Sequence, residues 1–156
     1  KNIFKKIKIY NNMDKLPIDI IREEILPYTY QPQPKELCND IRSFHNIRDY
    51  LYKLYYDRWF HTFQYEENAD LNWLDNDICR FFNDDNATMF GYTDNCLNKY
   101  KRSFILKDKT AKEIRDYINK IISCTNVKYS INIQVGILKC EERLKLVDFA
   151  HSLEVD

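Results

Sequence analysis

Val127-Lys128-Tyr129-Ser130-Ile131-Asn132-Ile133-Gln134-Val135-Gly136-Ile137 is the stretch on which the fold class turns. Its apolar residues alternate strictly, the period-two signature of a half-buried strand. Leu138 breaks the alternation, and Gly136 to Arg143 reads instead as the end of a short helix, a turn and a charged helix start. A lone strand needs a partner, and no second run of equal quality exists in the chain. The segment is therefore read as helical, with a single strand or β-hairpin near 127–137 as the alternative. The fold class expected is all-α, a compact bundle of about six to seven short helices.

Outward from this stretch the helical signals become firmer. Thr110-Ala111-Lys112-Glu113 is a capping box, in which hydroxyl and carboxylate reciprocally satisfy free backbone donors. Ile114, Tyr117, Ile118 and Ile121 follow at helical spacing, so a helix is predicted over Thr110–Ser123. Leu144, Val147 and Leu153, with Phe149 beside them, predict a last helix. Upstream, a helix is read from Asp94 to about Phe104, and Asn83–Tyr92 is a loop rich in turn residues. Asp70 is placed to cap a helix bearing Leu71, Leu74, Ile78 and Phe81. Gln64–Asn68 is polar and reads as a loop. Between Pro34 and Phe60 two helices are expected, Pro34–Phe44 and Asn46–Phe60, with a break at His45, or else one bent helix.

The chain then begins, in structural terms, with Leu16-Pro17. Pro17 suits a first helical turn, where its missing N–H costs nothing, and Asp19 follows favourably against the helix dipole. Ile18, Ile21 and Ile25 recur at helical spacing, and Pro27 to Pro34 is an extended connector. Residues 1–12 are read as a disordered basic arm or as translation upstream of a start at Met13, and 13–156 as a single helical domain.

Bulk composition narrows the function classes. The chain has 156 residues with 24 basic and 24 acidic side chains, so no general attraction to nucleic acid or to an anionic membrane is expected. Twelve Tyr, nine Phe and two Trp against two Gly point to an aromatic core under A/T-rich coding. The charges are unevenly spread: Glu66, Glu67, Asp70, Asp75, Asp77, Asp84 and Asp85 precede a basic stretch from Lys99 to Arg115. Either the two stretches face one another or they lie on separate solvated faces. Five widely spaced cysteines without C-x-x-C, and no secretory h-region, lead to an expectation of free buried thiols and a cytoplasmic protein. The sequon Asn86-Ala87-Thr88 is accordingly read as unmodified.

Chemistry-bearing patterns are sparse. Cys124, Cys140 and His151 match no zinc spacing. Asp84, Asn86 and Thr88 alternate as the first ligands of a calcium loop do, but Met89 and Asn95 stand where glycine and glutamate are needed. His45, His61 and His151 lack a strained turn or glycine-rich loop nearby, and two glycines exclude a phosphate cradle of that kind. Asp75 and Asp77 are read as solvated charge. No enzyme, metal or cofactor is expected. Lys99, Lys101, Arg102, Lys107 and Lys109, interleaved with Tyr100 and Phe104, are candidate nucleic-acid contacts, and a charge-balancing face is the preferred reading.

The segment Leu16-Pro17-Ile18-Asp19-Ile20-Ile21, then Ile25-Leu26 and Tyr28, resembles the opening of an F-box. Leu37 to Ile41 with Phe44, then a Tyr-rich stretch ending near Trp59, continue the likeness over 16–59. F-box modules dock a Skp1-type adaptor of a ubiquitin ligase. The resemblance implies Leu16, Pro17, Ile20, Ile21, Ile25 and Leu26 as partner-binding residues. Here Arg22, Glu23 and Glu24 separate the aliphatic pairs where the motif has two residues, a shift of ~100° around an α-helix. Over Met13 to Phe149 the chain is also similar to small proteins of A/T-rich giant DNA viruses. The likeness is carried by Met13 to Tyr30, Gln33-Pro34, Asp40-Ile41-Arg42-Ser43-Phe44 and Gly136 to Phe149. That resemblance implies kinship and no particular mechanism. The function expected is a non-enzymatic protein–protein interaction module, an F-box-like adaptor in an infected host cell. A structural or virion-associated protein packing against sister subunits is the alternative, and a weak nucleic-acid binder the third reading.

Overall fold

The computed structural model of the chain describes residues 17–25, 27, 33–63 and 70–153. The chain divides into two units, residues 1–37 and 38–156, so the boundary falls inside the F-box-like segment. Among the described residues every regular element is helical, and none is a strand.

In the first unit, α1 is a short helix over Ile18–Ile20 that runs on as a π turn over Ile21–Ile25. Pro17 is its N-cap with extended geometry, and the Ile21 N–H donates to the Pro17 carbonyl at 3.2 Å. The expected helix is thus present, with its second half widened to i→i+5 bonding. Leu16 and Leu26 lie outside the described residues, as do residues 1–15, most of the Pro27–Pro34 connector and the 64–69 segment.

Helix α2, Lys35–Phe63, starts directly after Pro34 and is continuous. Of the two readings of this region, a single helix is the one observed, with no break at His45. The 29 residues contain neither glycine nor proline, and Phe44, Ile47, Leu51, Leu54 and Tyr55 form one unbroken stripe past His45, which is exposed.

The second unit continues with α3 (Asn72–Phe82), α4 (Asp94–Lys101), α5 (Ala111–Ile122), α6 (Val127–Ile137) and α7 (Cys140–Ser152). Asp70 holds the start of α3 from one residue further out than expected: its Oδ1 accepts the Asn72 N–H at 2.9 Å. A short 3₁₀ turn, Thr88–Phe90, lies in the loop before α4. Thr93 caps α4 by accepting the Cys96 N–H at 3.1 Å. The capping box of α5 is complete, with Glu113 accepting the Thr110 N–H at 2.9 Å and the Thr110 hydroxyl accepting the Glu113 N–H at 3.3 Å.

The pivotal stretch is α6. Asn126 caps it by accepting the Tyr129 N–H at 3.1 Å, and its buried residues are Ser130, Ile131, Gln134 and Val135, a helical and not an alternating set. α3 is central: it packs on α4, α6 and α7, and α5 covers α4 and α6. Leu51, Tyr55, Leu74, Ile78, Phe82, Leu97, Tyr100, Ile114, Ile118, Ile121, Ile131 and Leu146 belong to one buried cluster. On α7 the buried face is Arg143, Leu146 and Ala150, whereas Leu144 is 58% exposed. The last helix is therefore correctly placed by sequence but rotated from the expected stripe.

Candidate docking surfaces and the buried polar groups

No residue of α1 or of the π turn is buried; Ile18 is 60% and Ile20 43% exposed. Of the F-box-like positions, Pro17 and Ile20 are exposed, and Ile21 and Ile25 half-buried. The π turn bears directly on the extra residue between the aliphatic pairs. With i→i+5 bonding, residues five apart stack as residues four apart do in an α-helix. Ile20 and Ile25 are five apart, so the turn absorbs the inserted residue and returns them to one side. Downstream the likeness to an F-box is looser, because its second and third helices are here the single helix α2.

The basic stretch is largely used within the fold. Lys99 is buried, and its Nζ donates to the Phe81 and Phe82 carbonyls at 3.3 and 3.1 Å, closing the C-terminal end of α3. Burial pushes its pKa down, with Asp84, 3.8 Å away, opposing the shift. Arg102 is paired with Glu142, and Lys109 with Glu113 at 3.0 Å. Tyr100 is fully buried against Phe82, ring centroids 5.0 Å apart. Lys99 and Tyr100 are thereby removed as nucleic-acid contacts. Of the set, Lys101 and Lys107 remain exposed without an ion pair among the described residues, and Lys107 lies 5.0 Å over the Phe104 ring.

Further polar groups held inside the fold also escaped sequence reasoning. Asp75 is not solvated: it is 6% exposed and accepts from Ser130 Oγ at 2.7 Å and Gln134 Nε2 at 2.8 Å. Burial raises its pKa, and these two hydrogen bonds moderate the rise. Asp77 is half-buried and accepts the Tyr55 hydroxyl at 2.6 Å. Arg143, 1% exposed, donates to the Val135 carbonyl at 3.0 Å, near the end of α6, and to the Asp40 carbonyl and carboxylate of α2 at 3.0 and 2.8 Å. Asn83 is fully buried and organises the loop after α3. Its amide donates to the Asn86 and Gly91 carbonyls, and its oxygen accepts the Thr93 N–H at 2.8 Å. That loop passes through left-handed geometry at Asp84 and Asp85, and Gly91 takes a φ of 104°. One signal was available: Ser130 and Gln134 stand four apart on α6, a polar pair on what is otherwise its apolar face.

A cleft of about 680 Å³ lies between α2 and α3, lined by Leu54, Tyr55, Arg58, His61, Trp73 and Asp77 among others. Tyr55, Asp77 and Arg58 are tied to its walls. Tyr55 bonds Asp77, and Arg58 donates to the Ala150 carbonyl at 2.7 Å while lying 4.9 Å over the Tyr55 ring. Such bonds hold helices together. His151 meets the Tyr50 hydroxyl at 2.7 Å, and Cys140 donates to Asp40 at 3.5 Å. Among the described residues no group of three or more His, Cys, Asp or Glu side chains could hold a metal ion, and no helix is long and apolar enough to cross a membrane. The five cysteines are free thiols; Cys79 and Cys96 are buried, and burial pushes them up to about 12 and about 11, whereas Cys38, Cys124 and Cys140 are half-buried. Scanned against protein-family models, curated proteins and solved structures, the chain matches none of them.

Proposed function

We propose that the chain is a non-enzymatic protein–protein interaction module whose N-terminal segment docks a Skp1-type adaptor, in the manner of an F-box. One observation carries this reading: the apolar residues of Pro17–Ile25 form a helix start with no buried residue, and a π turn brings the aliphatic positions back to one side despite the inserted residue. An exposed apolar helix face is the element by which helical segments engage a partner's groove. α2 is continuous where an F-box has two helices, so the reading rests on Pro17, Ile20, Ile21 and Ile25 together with the flanking Leu16 and Leu26. In the viral setting that the sequence resembles, the adaptor would be a host component.

The test is a pull-down with a purified Skp1-type adaptor. The parent is expected to be retained, and the double change Leu16→Ala and Pro17→Ala to abolish retention. Equal retention of both, or of neither, rejects the proposal. Apolar packing against sister subunits would use the same exposed residues, and it predicts concentration-dependent self-association with no adaptor present.

A further inference from the structure

The stretch that forms α6 has every property of a strand except a partner. In an extended chain Tyr129, Ile131, Ile133 and Val135 lie on one face, and Ser130, Asn132 and Gln134 on the other. Residues 129–135 include no proline, no glycine and no charge, and four of the seven are aromatic or β-branched. That is the composition of segments that stack as cross-β, with identical apolar side chains interlocking and Asn and Gln bonding in ladders. The uncharged run continues to Leu138, and Lys128 and Lys139 stand at its two ends, where charges commonly guard such segments.

The helix suits the same residues poorly. Tyr, Ile, Asn and Val rank low in helix propensity, and Gly136 lower still. Asn132 Oδ1 is buried with no hydrogen-bond partner among the described residues, whereas a ladder of stacked Asn side chains satisfies both ends of the amide. What holds the helix is its surroundings. Ile131 and Val135 are fully buried, and Ser130 Oγ and Gln134 Nε2 both donate to Asp75 Oδ1 of α3, at 2.7 and 2.8 Å. The fold thereby withdraws half of the apolar strand face and two of the three polar residues opposite it.

We infer that residues 129–135 are a latent cross-β segment: when α6 leaves the core and its bonds to Asp75, the strand partner absent from the chain is the same segment of a second copy, and copies stack into fibrils. The packed α6 helix is then the device that keeps the segment from pairing. Nothing in this depends on what the N-terminal segment docks.

The test incubates the full chain and two variants with agitation, each at its own melting midpoint, so that half of the molecules are unfolded in every sample. The parent should form fibrils that bind thioflavin T and diffract at the cross-β spacing of about 4.7 Å. Their protease-resistant core, read by mass spectrometry, should contain residues 129–135. Tyr129→Glu should lengthen the lag about tenfold or more, because its charge falls on the interlocking face. Tyr129 is 54% exposed in the first turn of α6, where an acidic residue favours the helix. Leu144→Glu, the same change of charge at a residue 58% exposed on α7, should leave the lag unchanged. No fibrils from the parent, aggregates without the reflection, a resistant core lacking 129–135, or a lag that responds equally to both variants or to neither would overturn the inference.

Discussion

α1 with its π turn and α5 are built from the same apolar residue at the same kind of spacing, yet they end in opposite places. Ile18, Ile21 and Ile25 mark the first; Ile114, Ile118 and Ile121 mark the second. The three isoleucines of α5 are 2%, 1% and 3% exposed, whereas Ile18 is 60% exposed and no residue of the N-terminal segment is buried. Periodicity decides that a helix forms and which side is apolar. What covers that side depends on the rest of the chain, and for α5 the cover is α4 and α6.

The comparison breaks first if α5 tolerates truncation. Ile118→Ala should cost about 2–5 kcal/mol, the transfer energy of the lost atoms plus the cavity left behind. Urea unfolding reads this directly, and a loss below 1 kcal/mol would mean that the α5 face is not the core described. Next comes the buried Arg143. Arg143→Ala leaves the Val135 and Asp40 carbonyls without their donor, and should cost about 2–3 kcal/mol in the same assay; an unchanged midpoint would show that the guanidinium is dispensable.

Smaller effects sharpen how α5 begins. Thr110→Ala removes the cap and should lower stability by about 1 kcal/mol. Its partner Glu113 is held at about 2, chiefly by the Thr110 backbone N–H and then by Lys109, against an ordinary 4.5. A carboxyl depressed in the folded state contributes fully above its unfolded value, and its contribution is lost as pH falls from about 4.5 to about 2. Glu113→Gln should therefore matter most above pH 4.5 and fade below it. Because Glu113 is exposed, salt should blunt the effect. Asp75 has the opposite sign: burial raises it above its ordinary 3.8, so the folded state is penalised as pH rises past that value. Asp75→Asn keeps an acceptor for Ser130 and Gln134 and should be more stable than the parent at pH 7, with the gap closing towards pH 4. A gap that widens on acidification would contradict this.

The legible parts of the fold were those in which local chemistry and hydrophobic period agree. The Thr110–Glu113 box and the isoleucines after it both specify α5, and the Asn83–Tyr92 loop announces itself by Asp84, Asp85 and Gly91. α6 was harder, since alternating Val127, Tyr129, Ile131 and Ile133 imitate a strand; the helix follows from the Asn126 cap, the want of a partner strand and the buried Ser130–Gln134 pair. Least legible were charged residues that do structural work. Lys99 and Arg143 are buried because their long side chains reach carbonyls of neighbouring helices, α3 for one and α6 and α2 for the other. That geometry exists only once the helices are packed, and hydropathy assigns both residues to the surface. The extra residue between Ile21 and Ile25 was visible in the sequence, but its accommodation by a π turn was not, because a straight α-helix was the reference.

Whether the N-terminal segment is an outward docking face or part of the core is decided most directly by the urea midpoint of the variant Ile18→Gln with Ile20→Gln, measured beside the parent. Glutamine keeps the helix propensity and removes the apolar surface. The midpoint is expected to stay within about 0.5 kcal/mol of the parent, as for substitutions on an uncovered surface. A loss approaching that of Ile118→Ala would place these isoleucines in the core and contradict the docking assignment.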